Sequence, residues 1–178
     1  TAPPYFSLNE NKLLTYNTAF KLSPPLRSED DRLAIIEGIQ DGTIDAIASD
    51  HRARSKDTKA QPFSAASVGA SGIETLFSLT LDLVHKKIID INKAISFLTI
   101  NPAKILGIDT PSLEEEKVAD FIVFDENKPN TIKQENLKTS PTPFDGKKIY
   151  GKILATYING QVAFMNQNFK NKIIKWIM

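Results

Sequence analysis

The chain has 178 residues, 41% hydrophobic and 24% charged, the composition of a globular domain with a real core. A formal net charge of +1 and the absence of cysteine exclude disulfides, cysteine-ligated zinc and a global electrostatic case for nucleic acid, and leave a reducing cytoplasm open. No apolar run approaches the roughly 20 residues of a membrane span, and Thr1-Ala2-Pro3-Pro4 lacks the basic start and apolar core of a signal peptide. The missing initiator Met suggests a fragment or processed product. Two histidines, His51 and His85, are few for a hydrolytic metalloenzyme.

In chain order, residues 5–27 read as irregular, because Pro24-Pro25 turns Ser23 away from the α region. Ser28 then supplies an N-cap, with Glu29, Asp30 and Asp31 in the first turn, where the helix dipole favours acids. Leu33, Ile36 and Ile39 make an apolar stripe at helical spacing, with Ile35 beside it, and Asp41-Gly42 ends the helix. Residues 43–51 predict a short strand with a polar C-terminal end. Residues 52–72 predict a long loop, basic at Arg52, Arg54, Lys56 and Lys59 and then small and flexible. A loop of this length inside a compact domain is usually functional or disordered.

Residues 73–87 predict an amphipathic helix with Leu76, Leu79, Leu83 and Val84 inward. Asn92 reads as the cap of a further helix over residues 93–106, stopped by Gly107. The last third turns to strands: residues 118–124, then 152–155 with 157–158, then 161–165. Asn159-Gly160 joins the last two and is the best hairpin signal in the chain. A polar break at residues 109–117 separates a helix-rich part, 1–108, from a β-rich part, 109–168. A basic and apolar tail, 169–178, is expected to dock on its own domain. No internal repeat is apparent.

Asp50 is the most interesting candidate for chemistry. It ends an apolar strand and precedes a long loop, the position that catalytic carboxylates take in a barrel. A carboxylate there can ligate a metal or act as a general base, though position alone favours a turn cap. His51 is expected to point away from Asp50 along the strand and to pack or hydrogen-bond. His85 suits a helix C-terminus, Arg27 a structural salt bridge, and the basic residues 52–59 a solvated surface. Gly69 and Gly72 precede a helix, where free backbone N–H groups can hold an anion or a carbonyl oxygen; a plain flexible loop explains them as well.

Several segments carry more when taken together. They are Ser23-Pro24-Pro25-Leu26-Arg27, Ser49-Asp50-His51, Val68-Gly69-Ala70-Ser71-Gly72-Ile73-Glu74-Thr75, and Asn101-Pro102-Ala103-Lys104-Ile105-Leu106-Gly107. Val118-Ala119-Asp120-Phe121-Ile122-Val123-Phe124-Asp125, then Pro143-Phe144-Asp145-Gly146 and the hairpin, complete the set. In order and spacing, over roughly residues 1–165, they resemble class I dihydroorotases of the amidohydrolase superfamily.

That resemblance implies an α/β fold: the C-terminal portion of a (β/α)8 barrel, with strands of the small β-sandwich that flanks it. Residues 1–108 would be the last βα units with their following helices. Asp50 would be the family's proton-shuttling aspartate and the one family metal-ligand position present. Ser23, Arg54, Gly69 and Gly72 would be the substrate-binding positions. Zinc is the family's cofactor, but its His-x-His, its bridging ligand and two further histidines come from earlier strands, so zinc is expected to be absent from this chain alone.

Three departures fall inside the retained motifs. Ser23 stands where the family has Asn, Arg54 where it has the second His of Asp-His-Ala-Pro-His, and Pro4-Tyr5 where it has His-His. They point to a degenerate, catalytically impaired homologue of pyrimidine biosynthesis. Its partners would be the missing N-terminal part of the barrel and aspartate transcarbamoylase, in a cytoplasmic homo- or hetero-oligomer. A fragment of an active zinc-dependent cyclic amidohydrolase and a free-standing interaction domain remain open as alternatives.

Overall fold

The computed structural model describes residues 1–109, 112–139 and 141–170. Its first stretch is helical in short pieces rather than irregular. α1 (Pro3–Ser7) begins with two prolines, whose missing N–H groups a first helical turn leaves unused. Two 3-10 turns follow, Glu10–Thr15 and Thr18–Phe20; Asn9 and Asn17 start them by accepting the N–H two residues on. Pieces this short leave no periodic signal in a sequence.

α2 (Glu29–Asp41) starts on a capping box: Ser28 Oγ accepts the Asp31 N–H at 3.1 Å, and Asp31 Oδ2 accepts the Ser28 N–H at 3.1 Å. Gly42 ends the helix at φ 90°. Ile39 is fully buried and Ile35 and Ile36 pack beside it, but Leu33 is half exposed, so the buried stripe is narrower than the spacing suggested.

Residues 43–51 do not form the expected strand. The segment is extended but has no ladder. Its contacts come singly: Thr1 N–H to Ala46 O at 2.9 Å, Ala48 N–H to Thr1 O at 2.7 Å, and Ile47 N–H to Phe97 O at 3.1 Å. At its end His51 makes one isolated parallel bridge with Ala70. A parallel strand needs flanking strands for its hydrogen bonds, and the described residues offer only single residues on each side. The apolar pattern still works, since Ile47 enters the core.

A helical turn, α3 (Lys56–Lys59), interrupts the long loop. α4 (Leu76–His85) is buried on two sides. Leu83, with Leu76 and Val84, joins Phe6, Ile39, Ile47 and Phe97; Leu79 instead meets Ile132, Phe144 and Ile149. Leu81 lies over Gly151, where an added Cβ would stand 2.4 Å from its Cδ1.

α5 (Ile91–Ser96) is capped by Asp90, which accepts the Lys93 N–H at 2.8 Å, and not by Asn92. It is also separate from α6 (Ile100–Leu106). Pro102 has no N–H and its ring excludes the carbonyl four residues back, so one helix cannot run through residues 98–102.

The sheet is antiparallel, in the order β1 (Phe121–Thr131), β2 (Lys148–Ile158), β3 (Gln161–Met165). Phe121 faces Tyr157 and Ile122 faces Thr156, with a register shift between Asp125 and Pro129, where proline cannot donate to the ladder. β1 starts later and runs longer than expected, and β2 starts earlier, at Lys148. Asn159 (φ 50°) and Gly160 (φ 74°) make the predicted tight hairpin. The polar break expected near 109–117 falls partly on residues 110 and 111, and most of the 169–178 tail on 171–178; both lie outside the described residues.

Candidate functional site

Asp50 closes the extended segment in the left-handed region, at φ 44°, which Asp tolerates better than most residues. This turn sends the chain into the basic loop. The Asp50 carboxylate is no turn cap; its partners are side chains. Tyr5 Oη donates to its Oδ2 at 3.1 Å, and Arg52 Nε stands 3.5 Å from its Oδ1. The same Tyr5 hydroxyl lies 3.1 Å from Pro24 O, so the loop that carries Ser23 meets Asp50 through it. Burial, and then the Asp50 charge, push the Tyr5 phenol above its ordinary pKa.

His51 faces the glycine loop. Its Nδ1 accepts the N–H of Gly72 and of Ile73, both at 3.3 Å, so the ring meets the loop as a hydrogen-bond acceptor. The Gly69 N–H donates to Lys21 O at 2.9 Å. The Gly69 and Gly72 amides that the sequence left available to a ligand are therefore engaged within the chain. Both glycines are also required sterically. A Cβ on Gly72 would stand 2.1 Å from Ser49 O, and one on Gly69, at φ 108°, would stand 2.7 Å from Arg52 Cβ.

The other sequence candidates sit around this centre. Ser23 is exposed between the buried Leu22 and Leu26. Arg54 is exposed and its Nε donates to Val68 O at 2.8 Å. Arg27 reaches Asp31 at 3.9 Å with both side chains mostly in solvent, a weak pair. His85 Nε2 lies 2.9 Å from Glu126 O, and its ring is 4.7 Å from the Tyr150 ring. The cavity beside Asp50, lined by Pro3, Pro4, Ser49, Gly72 and Phe144, holds about 10 Å³, no more than one water. A larger cleft of about 420 Å³ is lined by Tyr5 together with Pro24, Pro25, Arg27 and Arg32.

Two residues escaped sequence reasoning. Tyr5 reads as a substitution in a motif, and nothing local announces a bond to a carboxylate 45 residues on. Lys59 belongs to a basic run that reads as solvated surface, yet it is 5% exposed. Its ammonium donates to Thr18 O at 2.6 Å and Ser67 O at 2.9 Å. Burial, then the charges of Lys21 and Arg54, lower its pKa to about 8.

Zinc sites need three or four converging His, Cys or carboxylate donors. Asp50 offers one carboxylate with both oxygens engaged, and His51 has turned Nδ1 to backbone amides. Among the described residues no group of three or more His, Cys, Asp or Glu could hold a metal ion. These residues taken by themselves do not fit a zinc centre.

The amidohydrolase family model matches residues 10–163. A dihydroorotase of Clostridium acetobutylicum is 40% identical over 165 residues, 91% of this chain and 39% of its own length. One from Anaplasma phagocytophilum is 38% identical over 164 residues, 91% of this chain and 37% of its own. The chain thus spans about two-fifths of the curated relatives it matches. In structure it is similar to an L-hydantoinase from Arthrobacter aurescens, with TM-score 0.86 and 24% identity over 93% of this chain and 38% of that one. A dihydropyrimidinase from Brevibacillus agri gives TM-score 0.82 and 23% identity over 94% and 39%. At these identities the solved structures speak for the fold, which is a portion of the amidohydrolase barrel and its flanking sheet. No helix among the described residues is long and apolar enough to cross a membrane. The chain belongs to the amidohydrolase family, as a dihydroorotase-like member of it.

Proposed function

We propose that the intact protein is a dihydroorotase-like component of pyrimidine biosynthesis in the cytoplasm, catalytically impaired and acting in assembly with aspartate transcarbamoylase. Residues 1–108 then supply the last barrel units, residues 109–168 the β-rich flank, and the remainder of the barrel completes them in a homo- or hetero-oligomer. One observation carries this reading: the retained polar positions are engaged by the chain itself. Asp50 is held by Tyr5 and Arg52, His51 by the Gly72 and Ile73 amides, and Arg54 by Val68 O.

A proton-shuttling carboxylate has to reach an activated water and the leaving nitrogen. In the family, zinc lowers the pKa of that water and polarises the amide. Here both Asp50 oxygens already have partners, the Tyr5 hydroxyl and the Arg52 guanidinium. Ser23 and Arg54 replace the Asn and His of the family's substrate contacts, which supports the same conclusion. The test is dihydroorotate hydrolysis by the full-length protein, together with co-sedimentation with aspartate transcarbamoylase. The expected result is a complex without turnover; turnover overturns the impairment.

A second reading, an active zinc-dependent cyclic amidohydrolase of which this is a part, is favoured by the retained Asp50 and by dihydroorotase relatives at 38–40% identity. Under it Ser23, Arg54, Gly69 and Gly72 would contact substrate, and Arg54 would grip a carboxylate by a forked guanidinium pair.

A further inference from the structure

The extended segment ending at Asp50 is joined to the start of the chain by a short seam. Thr1 exchanges hydrogen bonds with Ala46 and Ala48 at 2.9 and 2.7 Å. Four residues further along each segment, Tyr5 meets Asp50 at 3.1 Å. On the far side Arg52 stands 3.5 Å from the second carboxylate oxygen. The Tyr5 hydroxyl has one proton and two acceptors at equal distance, Pro24 O and Asp50 Oδ2. The carboxylate is the charged acceptor and takes the stronger bond.

Three consequences follow from this arrangement. First, both oxygens of the one family metal-ligand position have partners from this chain. Second, the phenol is wedged between the Pro24 loop and the seam, so one hydroxyl ties three segments: 1–5, 23–25 and 46–50. Third, the small cavity of about 10 Å³ that also borders Asp50 holds no more than one water.

We propose that Tyr5 and Arg52 have turned Asp50 from an open, metal-facing carboxylate into a structural latch that locks the barrel seam. The latch rests on the family reading above, because that reading identifies Asp50 with the catalytic position. It makes a distinct claim about stability. A carboxylate kept open for chemistry usually costs stability, and neutralising it is neutral or favourable. A latch carboxylate behaves the opposite way.

The test is a double-mutant cycle on the full-length chain, read as Tm, with Tyr5→Phe, Asp50→Asn and both together. Asn tolerates the left-handed backbone as well as Asp does, so the substitution removes charge without disturbing the turn. Each single variant is expected to lower Tm by about 2–4 °C, and the Tyr5→Phe loss should shrink in the Asp50→Asn background. Arg52→Gln, at a half-exposed side chain that does not threaten folding, should lower Tm in the same direction and be non-additive with Asp50→Asn. Excess zinc chloride should leave the wild-type Tm unchanged. A raised Tm in Asp50→Asn, strictly additive losses, or a zinc-dependent rise in wild-type Tm overturns the latch. Loss of coupling leaves the impairment reading standing, whereas turnover of dihydroorotate overturns that reading without touching the coupling.

Discussion

Replacing Gly72 by alanine tests whether this residue is a packing element of the site or an open ligand contact. The added Cβ would sit 2.1 Å from Ser49 O and 3.2 Å from Ser49 C, well inside ordinary contact. Ser49 O is backbone, so no side chain can swing away. Either residues 49–51 or residues 70–73 must shift by more than an ångström. That shift strains the bonds from Gly72 and Ile73 to His51 and from Arg52 N–H to Ala70 O. Overpacking costs about 1–3 kcal/mol, and each weakened hydrogen bond about 1 kcal/mol. The expected loss is about 4–6 kcal/mol, measured by urea unfolding of the full-length chain followed by circular dichroism. Gly42→Ala is the control, since nothing lies within 4 Å of its Cβ position and only φ 90° opposes it; its loss should be about 1–2 kcal/mol. A Gly72→Ala loss below that of Gly42→Ala refutes the close-packing argument.

The buried Lys59 predicts a pH dependence. Its pKa falls from 10.5 to about 8 on folding, so between those values the unfolded chain binds the extra proton. Stability therefore rises as pH climbs from about 8 toward about 10.5, by at most ~3 kcal/mol. Lys59→Met should flatten that rise; equal slopes for wild type and variant, from unfolding at about pH 7.5 and about pH 10, would contradict it. Ser28→Ala removes the capping box of α2 and should cost about 1 kcal/mol in urea unfolding. Leu79→Ala, fully buried between α4 and the sheet, should cost about 2–5 kcal/mol by the same measurement, and a loss below about 1 kcal/mol would mean that the cluster repacks freely.

Features written in a few adjacent residues were legible in the sequence. Ser28 with Asp31, Gly42, Gly107 and Asn159-Gly160 each set a local backbone conformation through their own chemistry, and the structure has a cap, two helix ends and a hairpin there. Features that depend on distant partners were not. Residues 43–51 carry a strand's apolar alternation, but a parallel strand exists only when neighbours supply the ladder. The helix over 93–106 breaks because Pro102 acts four residues back, which periodicity alone overlooks. At the site, Asp50 and the glycine loop were visible as a motif, whereas Tyr5, Arg52 and Lys59 acquire their roles from contacts made across the fold. A charge run looks solvated until one of its members, here Lys59, finds three backbone carbonyls.

On the proposed function, Asp50 holds the position of a catalytic carboxylate without its chemistry. One measurement meets it directly: zinc per chain and the rate of dihydroorotate ring opening, taken on the same full-length preparation before and after loading with zinc chloride. The account predicts zinc well below one ion per chain and no ring opening in either state. Stoichiometric zinc together with turnover would contradict it.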